Sequence, residues 1–337
     1  MRLGVLDIGS NSAQLQVVDA YAGAPPLPTY AVKEPTLLGE AFEADGSIDA
    51  EGVDRVVAAV STTMRTAERF GVDQLYAFVT SAVRDATNRE EIMARLEQEA
   101  GVRPQFLTGE DEARLTYHAV HRWYGWQAGR VLLLDIGGGS MEIVLGRDAE
   151  PELAVSLPLG AGRLSRAFLP DDPPKRCQLS RLRQHVRDTI REVGDRLRWE
   201  GQPDLAVATS KTFKQLARLA GAPPQRMGPF VRRSVTLTDL GTWIPRLARR
   251  TTSERTTLPG ISAGRAHQIV AGAITARATM KALDVDRVEV CPWALREGVI
   301  LRYLQTMVDT SQYLPLHPVT PRSEDNGATL RVLPPTP

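Results

Sequence analysis

Two stretches of this chain repeat each other, and that repeat constrains the fold more than any other feature. From Val131 to Leu134 an apolar, β-favouring run delivers Asp135 to a turn made of Gly137, Gly138, Gly139 and Ser140; Ile143 to Leu145 returns as a second strand. From Val5 to Val18 the pattern recurs, with Asp7 in the place of Asp135, Gly9 in that of Gly137 and Ser12 in that of Ser140. Glycines let backbone N–H groups converge on an anion. The turn residues Gly9, Ser10, Asn11 and Ser12, and Gly137 to Ser140, are therefore candidate phosphate ligands. Asp135 and Glu142 flank one turn and suit a hydrated Mg²⁺ that bridges to phosphate, with Asp7 as a third candidate ligand. A glycine-rich hairpin is common on its own. Its recurrence with matching flanks predicts two similar lobes facing each other across a cleft.

The rest of the chain reads as alternating strands and helices. A helix is expected from Asp49 to about Phe70 on the stripe Val53, Val56, Val57 and Val60, then a strand over 74–79. Arg84 follows that strand end, the position where open α/β sheets bind ligands. Thr108 with Glu110, Asp111 and Glu112 reads as a capped helix start whose acids complement the dipole. The turn Gly160-Ala-Gly162-Arg163 opens a helix and is a natural anion site. Residues 163–187 carry seven Lys/Arg against two Asp. Arg163 and Arg166, nearest the turn, are the better phosphate candidates, whereas from Arg181 onward a solvated helix face is expected. Arg246, Arg249, Arg250 and Arg255 are likewise expected to be solvated. Helices are expected over 236–248, 262–282 and 294–307, and a Pro-rich disordered tail over 315–337.

At the two turns, and at Thr80-Ser-Ala-Val-Arg84, Gly109-Glu-Asp-Glu-Ala-Arg-Leu115 and Ala294-Leu-Arg-Glu-Gly-Val299, the chain resembles the exopolyphosphatase/guanosine pentaphosphate phosphatase (Ppx/GppA) family. That family lies within the actin, heat-shock ATPase and sugar kinase superfamily. The resemblance implies an α/β protein of the actin-like ATPase (ribonuclease H-like) fold. Its lobe I would span 1–125 with a returning helix at about 295–309, and lobe II 126–294. It implies Glu112 as the base that activates water, Arg84 as a phosphate clamp, and Ser81 among the phosphate ligands. It also implies Mg²⁺ or Mn²⁺ as cofactor, polyphosphate as substrate with guanosine penta- or tetraphosphate as a second partner, and a homodimer. Most family members carry Gly where this chain has Lys211 after Ser210. That lysine either adds a phosphate contact beside a helix start or fills an adenine-type pocket.

Composition narrows the alternatives. The chain has 337 residues, 42% hydrophobic and 24% charged, with a net charge of +1, so a polyanion site has to be local. Two cysteines, Cys177 and Cys291, fit a reducing cytoplasm rather than a disulfide framework. Neither a signal sequence nor a membrane-length apolar run is expected. Zinc spacings, a Walker A loop and a G-x-G-x-x-G turn are absent. With 6% aromatics and no recognition motif, nucleic-acid binding has little support. Two other readings remain: an ATP-dependent kinase or ATPase, which Lys211 argues against, and a non-catalytic polyphosphate or guanosine tetraphosphate sensor, which Glu112, Asp135 and Glu142 argue against.

Overall fold

The computed structural model describes residues 1–309 and 311–319. The chain opens with β1 (Arg2–Ile8), β2 (Ser12–Asp19) and β3 (Tyr30–Pro35), then α1 (Ala50–Arg69), β4 (Gln74–Val79), α2 (Ser81–Arg84), α3 (Arg89–Glu99) and β5 (Gln105–Phe106). The strands form one sheet in the order β3-β2-β1-β4-β5. Leu3, Val5, Leu6 and Ile8 are all buried, so β1 is covered on both faces, which explains its continuous apolar run. α1 buries Val53, Val56, Val57 and Val60, and Asp49 caps it by accepting from the Gly52 amide at 2.6 Å.

α4 (Gly109–Tyr124) leads to β6 (Val131–Ile136), β7 (Met141–Gly146), β8 (Leu153–Leu157), α5 (Ala161–Phe168), α6 (Arg176–Glu200), β9 (Leu205–Ala208) and α7 (Ser210–Leu219). There follow β10 (Ser234–Thr236), α8 (Leu237–Ala248), α9 (Thr252–Thr256), α10 (Ala263–Ala266), α11 (Ile269–Ala282), β11 (Arg287–Val290) and α12 (Leu295–Thr306). The second sheet has the order β10-β11-β9-β6-β7-β8. Its centre repeats the first sheet: β6 pairs antiparallel with β7 and parallel with β9, as β1 does with β2 and β4.

α4 and α12 join the two sheets. α4 buries Ala113, Tyr117 and Val120 with Val131, Leu133 and Val144 of the second sheet, and Leu115 with Leu3 and Val5 of the first. α12 packs Leu295, Val299, Ile300 and Leu304 into that same first-sheet cluster. The helices cross so closely that a Cβ on Gly298 would lie 1.9 Å from the Leu115 carbonyl oxygen, so only glycine fits. α4 and α12 thus give the two sheets shared core.

Three expectations are corrected. The helix expected over 262–282 is two helices, interrupted at His267 and Gln268. Arg255 is not solvated: it is 2% exposed, donates to the Leu247 and Ala266 carbonyls and pairs with Asp172. The tail expected from 315 begins with packed chain. Leu316 is buried, His317 exchanges hydrogen bonds with Gln105, and Val319 bridges to Leu75, because this segment covers apolar surface of the first sheet. The remainder of that tail, 320–337, lies outside the described residues.

Candidate active site

Each repeated turn closes in the same way. The Gly9 amide donates to the Ser12 carbonyl at 3.1 Å, and the Gly137 amide to the Ser140 carbonyl at 3.0 Å. The turns meet face to face. A Cβ on Gly138 would lie 2.5 Å from Ser10 Oγ, and one on Gly139 would lie 2.5 Å from Ser81 Oγ. One on Gly160 would lie 2.3 Å from the Gly139 carbonyl carbon. These glycines are required by proximity. The void left between the turns is about 10 Å³, roughly one water.

The strands place acids beside this junction. In the second sheet Asp135 stands opposite Glu142, and Glu142 opposite Ser156, so the three share one face. Thr209 donates its hydroxyl to Asp135, and Ser156 Oγ donates to Glu142 Oε1 at 2.8 Å. Glu112 arrives from the first turn of α4, which Thr108 caps by accepting from the Asp111 amide at 3.1 Å. Its Oε2 is buried, has no hydrogen-bond partner, and lies 3.7 Å from Arg84 Nη1. Arg84 itself is held by donation to the Leu107 carbonyl at 2.7 Å and to Asp85 at 3.2 Å. A cavity of about 690 Å³, lined in part by Arg84, Gly109 and Ser156, opens on this side to solvent.

In the first sheet the equivalent ladder is Asp7, Gln14, Lys33. Asp7 accepts from Arg296 Nη1 at 2.9 Å, and Glu297 caps α12 by accepting from the Ala294 amide at 2.8 Å. Burial raises the Asp7 carboxyl against the opposing pull of Arg296. Burial likewise raises Asp135 against the Thr209 hydrogen bond. Burial and then Asp135 push Glu142 up to about 8. Burial, followed by Glu142, raises Glu112 well above the usual carboxylate range, with Arg84 pulling the other way. Asp135 and Glu142 of the second lobe and Glu112 of α4 thus gather with too little positive charge. Among the described residues, no three His, Cys, Asp or Glu side chains are placed to hold a metal unaided. Two carboxylates completed by water and substrate oxygens are how Mg²⁺ is usually bound, and the unpartnered Glu112 oxygen leaves an acceptor free for a water.

The remaining candidates divide. Arg163 donates to the Gly139 carbonyl at 2.8 Å and pairs with Asp85, so it ties the lobes together instead of presenting a free guanidinium to phosphate. Arg166 donates to the Gly39 carbonyl at 2.6 Å and lies over the Phe42 ring at 4.3 Å, a second tie. Lys211 is exposed at the start of α7. Sequence reasoning missed Arg296, Thr209, Ser156, Arg265 and Lys33 as site residues. The Ala294-Leu-Arg-Glu motif was a signal for Arg296. Matching Thr209-Ser210 to Thr80-Ser81 was one for Thr209.

The Ppx/GppA phosphatase family description matches residues 17–307. Exopolyphosphatase 1 of Mycobacterium tuberculosis is 52% identical over 309 residues, covering 92% of this chain and 90% of that protein. Exopolyphosphatase 1 of Mycobacterium leprae is 50% identical, covering 92% and 91%. The crystal structure of an exopolyphosphatase from Cytophaga hutchinsonii superposes with a TM-score of 0.82 at 23% identity, over 90% of this chain and 98% of that one. The Aquifex aeolicus PPX-GPPA enzyme does so with a TM-score of 0.72 at 26% identity, over 89% and 99%. The two similar lobes expected from the repeated turns, and the α/β actin-like ATPase fold that the family resemblance implied, are the fold of this chain. By the extent of these matches, the chain belongs to the Ppx/GppA phosphatase family.

Proposed function

We infer that this protein is an exopolyphosphatase, a hydrolase that removes terminal orthophosphate from inorganic polyphosphate by attack of water on the last phosphoanhydride. The observation that carries the reading is the convergence of Glu112, Asp135 and Glu142 beside two opposed glycine turns. The exopolyphosphatases at about 50% identity support it.

The residues divide the work as follows. N–H groups and hydroxyls of Gly9, Ser10, Asn11, Ser12 and Ser81, with Gly137 to Ser140, cradle the terminal phosphoryl group. The turns touch, so the lobes part to admit it and close behind it. Glu112, raised by burial and by Glu142, accepts the proton of the attacking water. Arg84 holds Glu112 in place and meets a phosphate oxygen. Asp135 and Glu142 would hold a divalent cation, with Asp7 contributing through water. We propose Mg²⁺, with Mn²⁺ as its substitute. When bound, that ion offsets charge gathering on the leaving oxygen. Positioning and charge neutralisation carry most of phosphoryl transfer, so this residue set requires no phosphoenzyme. Arg163 acts through the closed arrangement of the lobes, and Lys211, at the start of α7, contacts a phosphate of the substrate.

A homodimer, which rests on the family resemblance, and a cytoplasmic location, which rests on the sparse cysteines, are proposals; sedimentation and cell fractionation test them. Among the described residues, no helix is long and apolar enough to cross a membrane. The deciding experiment is orthophosphate release, with Mg²⁺, from short polyphosphate, long polyphosphate, guanosine pentaphosphate and ATP in parallel. Release from polyphosphate is expected. Release from guanosine pentaphosphate would add the second substrate. Turnover of ATP alone would move the protein to the kinase or ATPase class, and tight binding without turnover to the sensor class.

A further inference from the structure

The outer layer of the second lobe holds a cavity that the cleft does not use. α11 packs against both α6 and α8 over the second sheet. Its beginning serves the cleft: Gln268, just before it, donates to Asn11 Oδ1 of the first turn at 2.9 Å. Lys281, near its other end, stands roughly 18 Å further along the axis. There Ala278 and Ala282 are too small to fill the space beside the neighbouring helices, and a cavity of about 310 Å³ remains. Ile244 and Ile274, both buried, give it an apolar floor.

Four cations surround that floor: Arg183 and Arg187 from α6, Arg277 and Lys281 from α11. Among the described residues, no acidic side chain lines the cavity. Arg187 donates to the neutral Gln184 side chain at 2.6 Å. Asp188, the acid next to it in sequence, accepts from Gln184 and Arg191 instead. Arg277 Nε is buried without a hydrogen-bond partner. An unpartnered buried donor is costly and like charges around one cavity repel, so the arrangement calls for an anion.

A second cavity, of about 360 Å³, adjoins the first at Lys281 and Ala282, which line both. It reaches the sheet at Leu132 and Leu145, buried cross-strand neighbours on β6 and β7. Leu197 and Leu283 add apolar wall, and Gly194 of α6 puts no side chain into the space. Asp284, which is exposed, is the acid that lines this second cavity. A bare phosphate chain would gain nothing from the leucines, and a neutral hydrocarbon nothing from the arginines.

We propose that the joined cavities bind an acyl anion, a compact acid head on an unbranched apolar chain. Arg183, Arg187 and Arg277 hold the head, and the chain passes Lys281 and Ala282 to Leu132 and Leu145. A carboxylate and a phosphate monoester both offer the oxygens that the arginines need. None of these residues takes part in the hydrolysis described above, so the site stands or falls independently of the exopolyphosphatase reading.

The test is calorimetry on the full chain with butanoate, hexanoate, octanoate and octyl phosphate, and with octanol and tripolyphosphate as controls. Octanoate is expected to bind at one site, with Kd falling about fourfold for each methylene added from hexanoate onward. Octanol should bind at least about tenfold more weakly. Arg183→Gln and Arg277→Gln should each weaken octanoate about tenfold and leave octanol unchanged. Ala282→Phe, which fills the passage between the cavities, should cost octanoate more than butanoate. Arg183 is exposed on α6, so its variant should melt as the wild type does and release orthophosphate from polyphosphate at the same rate. Tighter binding of octyl phosphate would assign a phosphate head, and tighter binding of octanoate a carboxylate. Absence of saturable binding by both, equal affinity for octanol, or unchanged affinity in both arginine variants would overturn the site. Displacement of octanoate by tripolyphosphate as effective as that by hexanoate would overturn the acyl chain.

Discussion

The β1–β2 turn and the β6–β7 turn share a sequence pattern, a closing hydrogen bond and a strand pairing, yet the sheets set different chemistry beside them. In the first lobe the aspartate is answered by Arg296, and its ladder continues through Gln14 to Lys33. In the second lobe the aspartate meets a hydroxyl, and its ladder continues through Glu142 to Ser156. Duplication accounts for the cradle, because two like turns can grip one phosphate from both sides. Divergence one strand away accounts for the polarity, because the second lobe's aspartate has a carboxylate as its cross-strand neighbour where the first lobe's has an amide. A repeat therefore reports a binding geometry, and the positions where it fails to repeat report the reaction.

The largest effect on this contrast should come from Glu112→Gln, which removes the proposed proton acceptor and leaves both turns intact. Orthophosphate release should fall on the order of 10²–10⁴-fold while polyphosphate still binds. A loss below tenfold would remove Glu112 from the chemistry.

Exchanging the unlike rungs is the next test. Glu142→Gln should raise the divalent-ion concentration needed for half activity about 10–100-fold, a range borrowed from the loss of groups that support metal ligands. Gln14→Glu places an acid at the matching rung of the first lobe. Metal stoichiometry should stay unchanged there, because Arg296 and Lys33 answer the new charge. A second bound ion in calorimetry would show that the lobes are chemically equivalent after all.

Gly138→Ala tests the shared part of the comparison. The added methyl meets Ser10 Oγ at 2.5 Å, so the turns have to separate. Overpacking of this kind costs about 1–3 kcal/mol. The damage should be measurable as a lower melting temperature together with weaker polyphosphate binding. Full binding in a destabilised variant would mean that the turns do not close on phosphate.

The smallest effect concerns α4, which both lobes share. His118 is fully buried there, and burial followed by the charge of Arg302 lowers it to about 3. An unfolded histidine titrates near 6.5. Above that pH both states are neutral and stability is whole; below it the unfolded chain binds a proton that the folded chain refuses. Stability should therefore drain as pH falls from about 6.5 toward 3, by about 2 kcal/mol at pH 5. Melting curves of His118→Met should show a flatter acid limb; an unchanged limb would assign the acid sensitivity to other groups.

Local pattern made the two turns, the capped start of α4 and the α1 stripe legible, since each is written in neighbouring residues. Orientation was not legible. Arg163 sits beside a glycine turn in sequence, but its guanidinium turns to Asp85 of the other lobe. Arg255 sits in a basic run and is buried by the chain around it. Lys33 gave no signal at all, because only strand pairing brings it into line with Asp7. Leu316 and Val319, in a Pro-rich stretch, gain their packing from the distant Leu75 strand.

The ion pair between Asp7 and Arg296 joins residues 289 positions apart. At a synthesis rate of about 5–20 residues per second, roughly 15–60 seconds separate their emergence from the ribosome. Throughout that interval the first turn exists without its guanidinium, and α4 lacks the helix that crosses it at Gly298. A nascent chain can thus fold both sheets and still be unable to act on polyphosphate. Competence arrives with one late helix, so a chain released early carries no partial enzyme into the cell.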